Sequence, residues 1–352
     1  MYRRHFVAGL GVAGTALSAP VTASAQSTRV LNIASIFGTG DTGRAAAARD
    51  LAARVGLLSG GALTIQVSDA TADTAALHGE LTGGGLDGVI GTEDLWTPLS
   101  PAFGLFASVP GGMMERELEA WIRAERGQER WDALAGEFGM KSLLLGDAGG
   151  EMLWSARALD DADAIAGLPI AARGLAALAW AEAGAAVTTV TGTESFPGGV
   201  EAYETGPLNE QYADRANAPA RLYLDTPTRP SSALSLSMSR VAWDGLDDAQ
   251  RRIVEAAAIA ITHRTNARSM QASALAHQAL RLSPALTIAP LPQPAWDAVM
   301  EASRAAFETL GDLDGEGRAA WRAYTRFARD VQNWTRLSEA AFTTARSRNL
   351  PS

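Results

Sequence analysis

Apolar and polar positions change period along the chain, and each change marks an element. Arg29–Phe37 holds the apolar run VLNIASIF and predicts a buried strand. Arg44–Gly56 is alanine-rich with apolar spacing near the helical repeat, and predicts a helix. After a Ser-Gly-Gly turn, Leu63–Val67 predicts a second strand; Thr74–Leu81 then adds a helix and Leu86–Ile90 a third strand. This β-α-β-α-β order favours a parallel sheet with right-handed crossovers. Leu95–Pro110 is aromatic and punctuated by proline, which predicts a loop or short helix. Glu115–Phe138 predicts one long amphipathic helix carrying Trp121 and Trp131, and Lys141–Leu145 another strand.

The stretch from Gly146 to Pro207 organises the rest of the chain. It opens GDAGGEMLW, reaches Gly167-Leu-Pro-Ile-Ala-Ala-Arg-Gly174, passes a short helix ending at Gly184 and an apolar strand Ala185–Val190, and closes with GVEAYETGP. Glycine stands where the backbone must bend, and small residues let the helix pack closely. Gln211–Pro230 is polar and proline-rich and predicts an irregular crossing segment. Ser232–Ser239 alternates small-polar and apolar residues, as a strand does. Trp243–Leu282 predicts one long helix capped by Asp244. Thr287–Leu291 predicts a strand, Gln293–Leu310 a helix, and Gly317–Arg348 a last long helix.

A chain of 352 residues suits two lobes better than one core. The N-terminus predicts an export signal, with Arg3-Arg4 before the apolar run Val7–Leu17 and a small-x-small site, Ala23-Ser24-Ala25, before Gln26. The arginine pair favours the twin-arginine route. The expected location is therefore the periplasm, with cleavage after Ala25. The apolar run is too short and glycine-rich to span a bilayer well, and no later segment reaches transmembrane length. Removing that leader leaves 28 basic and 39 acidic residues, so the net charge moves from −9 to −11. Such a balance disfavours nucleic acid or an anionic membrane as partner. The absence of cysteine excludes disulfides, thiolate catalysis and iron–sulfur clusters.

Enzymatic motifs are weak. Gly9–Gly14 fits a dinucleotide fingerprint but lies inside the export signal. Gly38-Thr-Gly-Asp-Thr-Gly43 sits between a strand and a helix, as a phosphate loop would. Arg44 and Ala45 replace the Lys and Ser/Thr of such a loop, so a helix N-terminus facing an interlobe cleft is the better reading. His78, His263 and His277 are widely spaced on expected helices, and no nucleophile elbow is visible. Trp121, Trp131, Trp180, Trp296, Trp321 and Trp334 sit among aliphatics at helical positions and predict core packing. Trp96 and Trp154, near expected cleft loops, are site candidates.

The segments Gly146–Pro207, Pro101–Pro110, Trp243–Gln250 and the tail around Asn333-Trp334 together resemble the extracytoplasmic solute-binding subunit of tripartite ATP-independent periplasmic (TRAP) transporters. The subgroup nearest in pattern binds 2-oxo acids and other small monocarboxylates. The resemblance covers nearly all of the chain after the leader. It implies an α/β, two-lobed, type II-like periplasmic binding protein with an interlobe cleft and long C-terminal helices. Its lobes would comprise residues 26–146 with about 232–282, and 147–231 with about 283–315. Residues 316–352 would pack across the lobes or in a homodimer. The implied function is capture of a small organic anion by cleft closure and delivery to a TRAP membrane permease, with no bond made or broken. A secreted hydrolase on a two-lobed scaffold, and a binding protein repurposed as a sensor, are the alternatives.

The family arginine that pairs with the substrate carboxylate falls at Ala171 in this chain, and Arg173 is displaced by two residues. Period two puts both on one face, so Arg173 either reaches the ligand from one pleat further or is merely solvated. Glu151 stands at the family's cation-binding glutamine and Glu204 at its glutamate, with Thr205 replacing the following tryptophan. No cofactor is required. The resemblance implies a calcium or sodium ion bridging the substrate from Glu151 and Glu204, against the plain reading of two loop glutamates facing water. Arg229 could supply the positive charge lost at Ala171.

Overall fold

The computed structural model describes residues 28–40, 43–191, 196–224, 228–313 and 315–348, without the side chains of 214 and 215. The export signal and its cleavage site, and positions 41 and 42 of the glycine-rich loop, lie outside the described residues.

Two sheets form the two lobes. The first contains Arg29–Ser35 (β1), Leu63–Asp69 (β2), Gly88–Gly91 (β3), Met140–Asp147 (β4) and, returning much later, Ala233–Ser239 (β10). Their order is β2-β1-β3-β10-β4. β1 pairs in parallel with β2 and β3, while β10 runs antiparallel between β3 and β4. The second sheet contains Leu153–Ser155 (β5), Pro169–Ala172 (β6), Ala186–Thr189 (β7), Ala202–Glu204 (β8), Arg221–Tyr223 (β9) and Thr287–Ala289 (β11). Its order is β11-β9-β5-β8-β6-β7.

Each sheet buries apolar side chains on both faces. Leu31, Ile33, Leu236 and Met238 pack with helix 45–58 and with Val254, Ala257 and Ile261 of helix 248–280. The opposite face collects Phe103, Phe106, Trp121 and Trp131, where both tryptophan rings stack on Phe106. Two helices tie the lobes together. Helix 248–280 ends with Ala276 and Leu280 in the core of the second sheet. Helix 293–311 buries Ala295 and Val299 against the second sheet, and Phe307 and Leu310 against the first.

Four expected elements differ. The helix predicted over Glu115–Phe138 is two helices, 115–124 and 127–137. Glu125 is extended, and Gly127 presses on the preceding turn so closely that a Cβ there would lie 2.6 Å from the Trp121 carbonyl oxygen. The helix predicted from Trp243 starts at Asp248, because Asp247 and not Asp244 caps it. Asp247 Oδ1 accepts from the Gln250 amide at 2.8 Å, and Gln250 Oε1 accepts from the Asp247 amide at 3.1 Å. The segment Gln211–Pro230 is not wholly irregular, since β9 within it pairs with β5 and β11. The last helix runs 315–335 and continues through a π turn, 336–340, into 341–347. There Trp334 is 69% exposed, against the expectation that it packs in a core.

Candidate functional site

The lobes meet where β3, β6 and β8 end and where the chain crosses between sheets. Two crossing segments run side by side: the Glu151 amide donates to the Arg229 carbonyl at 3.0 Å, and the Ala148 amide to the Ser232 carbonyl at 3.0 Å. Glu151 and Arg229 therefore leave neighbouring backbones at the hinge. Arg173 follows β6 and stands at the N-terminus of helix 174–182. Glu204 ends β8, in register with Ala172. From the first lobe comes Asp94, in the short 3-10 turn Glu93–Trp96 that follows β3.

Asp94, Glu151, Arg173 and Arg229 form a closed ionic group of two carboxylates and two guanidinium groups, each at most 2% exposed. Arg229 Nη1 donates to Glu151 Oε2 at 2.7 Å and Nη2 to Asp94 Oδ2 at 2.7 Å. Arg173 donates to Glu151 Oε1 through Nε at 3.2 Å and also through Nη2, and its Nε lies 3.7 Å from Asp94 Oδ2. The Ser232 hydroxyl adds a donor to Glu151 Oε1 at 3.0 Å. Burial alone would push the Glu151 carboxyl upward. The two guanidinium charges outweigh it and hold the group below its ordinary range. Burial would likewise lower Arg229, and Asp94, Glu151 and Glu204 raise it.

Glu204 behaves differently. Its oxygens accept from the Trp180 indole and the Thr228 hydroxyl. Burial dominates, only partly offset by the Arg229 charge, and pushes it up to about 8. Glu204 is therefore mostly neutral at pH 7.

Of the residues expected at the site, Glu151, Arg173, Glu204 and Arg229 come together, and the water-facing alternative for them is overturned by their burial. Thr205 is buried beside them. Trp154 is buried in the second-lobe core, its indole donating to Gln211 Oε1 at 2.6 Å. Trp96 is not at the cleft. It is buried in the first-lobe core, donates to Ser237 Oγ at 2.9 Å and meets His78 edge-on, while Asp94 of the same turn faces the arginines at the lobe boundary. A cation between Glu151 and Glu204 would share their oxygens with protein donors, since each of the four oxygens already accepts at least one hydrogen bond. Among the described residues, no group of three or more His, Asp or Glu is placed to hold a metal ion.

Sequence reasoning missed Asp94, Trp180, Thr228, Ser232, Gln211 and Arg44. Asp94 had a signal, as a carboxylate directly after an apolar strand and before an apolar turn. Arg44, set aside with the glycine loop, is 3% exposed, sits over the Phe37 ring at 4.3 Å and pairs across the lobes with Glu210 at 2.6 Å. It borders a cavity of about 660 Å³ with Tyr212 and Asn209.

Gly174 packs directly against Asp94 of the first lobe. Its φ is +54°, and a Cβ there would overlap the Asp94 carboxylate, whose Cγ would lie 2.5 Å away. Gly174→Ala is therefore expected to cost roughly 2–4 kcal/mol, from left-handed backbone strain and displacement of Asp94. Thermal unfolding checks it, and an unchanged melting temperature would show that the helix start relaxes freely.

A comparison with protein-family models finds no match, and no curated protein matches. Solved structures do match. One is a TRAP periplasmic solute-binding protein from Colwellia psychrerythraea with bound calcium and pyruvate: 20% identity, TM-score 0.84, covering 90% of this chain and 99% of that one. Another, from Pseudoalteromonas atlantica with bound sodium and pyruvate, has 20% identity and TM-score 0.81, covering 90% and 99%. A third, from Bordetella bronchiseptica, is a dimer with copurified calcium and picolinate in one site, at 19% identity and TM-score 0.84, covering 92% and 98%. With its two sheets, the hinge strands between them and helices spanning both lobes, the chain has the two-lobed fold of the TRAP periplasmic solute-binding proteins.

Proposed function

We propose that the protein is the periplasmic solute-binding subunit of a TRAP transporter, capturing a small organic acid between its lobes for a membrane permease. One observation carries this reading. At the lobe boundary, Arg173 Nη1, Arg229 Nε, Arg44 Nη1 and Gln211 Nε2 are buried donors without a hydrogen-bond acceptor. Buried donors are ordinarily satisfied, and a carboxylate is the acceptor that guanidinium geometry suits. The donors come from both lobes, so a ligand meeting them favours the closed form. The leader Arg3–Ala25 supports export to the periplasm. The exposed Trp334, Leu337 and Phe342 on the last helix support pairing of two copies through that helix.

No cofactor is required for this capture, because unpartnered guanidinium N–H groups can meet the carboxylate directly. Calcium or sodium, which the similar structures hold, would share the Glu151 oxygens with Arg173 and Arg229. A thermal-shift screen of carboxylates and neutral sugars tests the reading. At about 100 times the dissociation constant, a binding carboxylate should add roughly 2.7 kcal/mol, and chelator should leave the shift unchanged. Stabilisation by neutral sugars alone would overturn it.

A further inference from the structure

The buried charges at the lobe boundary balance. Asp94 and Glu151 carry two negative charges, and Arg173 and Arg229 two positive ones. Arg44 is matched by Glu210. Within the group of four, the atoms left without a partner have both characters: Arg173 Nη1 and Arg229 Nε are donors, and Asp94 Oδ1 is an acceptor.

A simple carboxylate fits only half of this pattern. It would accept from the guanidinium groups, but would leave Asp94 Oδ1 unmet and bring one net negative charge into a site shielded from water. An unpaired buried charge costs several kcal/mol. The cost traces to Glu151, which bridges both guanidinium groups and cancels one of their charges. A neutral amide there would leave the site one charge positive and suited to a plain anion. Glutamate makes it neutral and suited to a ligand whose own charges cancel.

We propose that the solute is a small zwitterion of the amino-acid type, its carboxylate meeting Arg173 Nη1 and Arg229 Nε and its ammonium meeting Asp94 Oδ1. This rests on the carboxylate reading of the same site and narrows it. The ammonium supplies the donor that Asp94 lacks, and the net charge of the site stays at zero. Glu204, held mostly neutral by its burial, adds little charge to this balance. Asp94 lies on the first lobe and Arg173 on the second, so such a ligand would be gripped by unlike charges from opposite sides.

Matched pairs sharing one carbon skeleton test it by titration calorimetry at pH 7: alanine with pyruvate, valine with 2-oxoisovalerate, phenylalanine with phenylpyruvate. On the wild-type protein, the amino acid of the tightest pair should bind at least 10-fold more tightly than its oxo acid. Glu151→Gln should shift that ratio at least 10-fold towards the oxo acid. Should the variant fail to fold, the wild-type comparison decides alone. An oxo acid binding as tightly as its amino acid, or more so, would overturn the proposal and leave the carboxylate reading standing. Binding by neither series would overturn the proposal, and the wider screen of carboxylates and neutral sugars then decides the reading beneath it.

Discussion

Replacing Arg229 with methionine is expected to destabilise the protein by about 3–5 kcal/mol, the range seen when one partner of a buried ion pair is removed. Arg229 Nη1 and Nη2 each satisfy a different buried carboxylate, Glu151 and Asp94, at 2.7 Å. Methionine fills much of the volume and satisfies neither. Arg173 keeps its contacts with Glu151 but lies 3.7 Å from Asp94 and cannot replace the lost bond. Two negative charges would then face one positive charge out of water. Combining Arg229→Met with Glu151→Gln restores the balance and should recover part of the loss, since neighbouring charges couple rather than add. Urea unfolding at pH 7 measures all three proteins. A loss below about 1 kcal/mol for Arg229→Met, the scale of an exposed ion pair, would mean that water reaches the group in solution.

Stability should also fall as pH rises from about 5 to about 8. Three buried carboxyls have raised values for which burial is the leading cause: Glu93 and Asp147 at about 7, and Glu204 at about 8. Their ordinary values are 4.5, 3.8 and 4.5. Between those limits the folded chain holds protons that the unfolded chain has released. The contribution of each group is full below its unfolded value and is lost as pH climbs through its folded value, at up to about 1.4 kcal/mol per pH unit. Glu151 has the opposite sign: its value is lowered, so its contribution is present above the ordinary range and fades on acidification. The melting temperature should therefore peak at mildly acidic pH. Glu204→Gln, which keeps an oxygen to accept from Trp180 or Thr228, should flatten the alkaline limb. A melting temperature that rises steadily from pH 5 to 8 would show that these carboxyls are ionised in the folded protein.

The site was legible where chemistry and position coincided. Glu151, Arg173, Glu204 and Arg229 stand out as charged residues near glycines or β-strand ends, and they converge. That their carboxylates would meet their own arginines was not legible, because Glu151 and Arg229 are 78 positions apart and become neighbours only when the two hinge segments run side by side. Trp96 and Trp180 show the same limit in opposite directions. Trp96 reads as a cleft residue and Trp180 as a core residue. One donates to a serine inside a core, and the other to a carboxylate at the lobe boundary.

By itself, the sequence determined the class of the fold. Hydrophobic periodicity set the β-α-β-α-β start, the return strand at Ser232–Ser239 and the long helices, because burial of an apolar face is a local demand that each segment writes into its own spacing. It also determined that no thiol chemistry occurs and that the chain is acidic. What the charged residues do follows from how the folded chain brings them together. Segments as short as β5, β8 and β9, three residues each, have too few positions to show a period and exist because neighbours in the sheet supply their hydrogen bonds. The charge balance of Asp94, Glu151, Arg173 and Arg229 depends on distances between segments far apart in the chain. Electrostatic energy out of water depends on those distances, and no local pattern of residues records them.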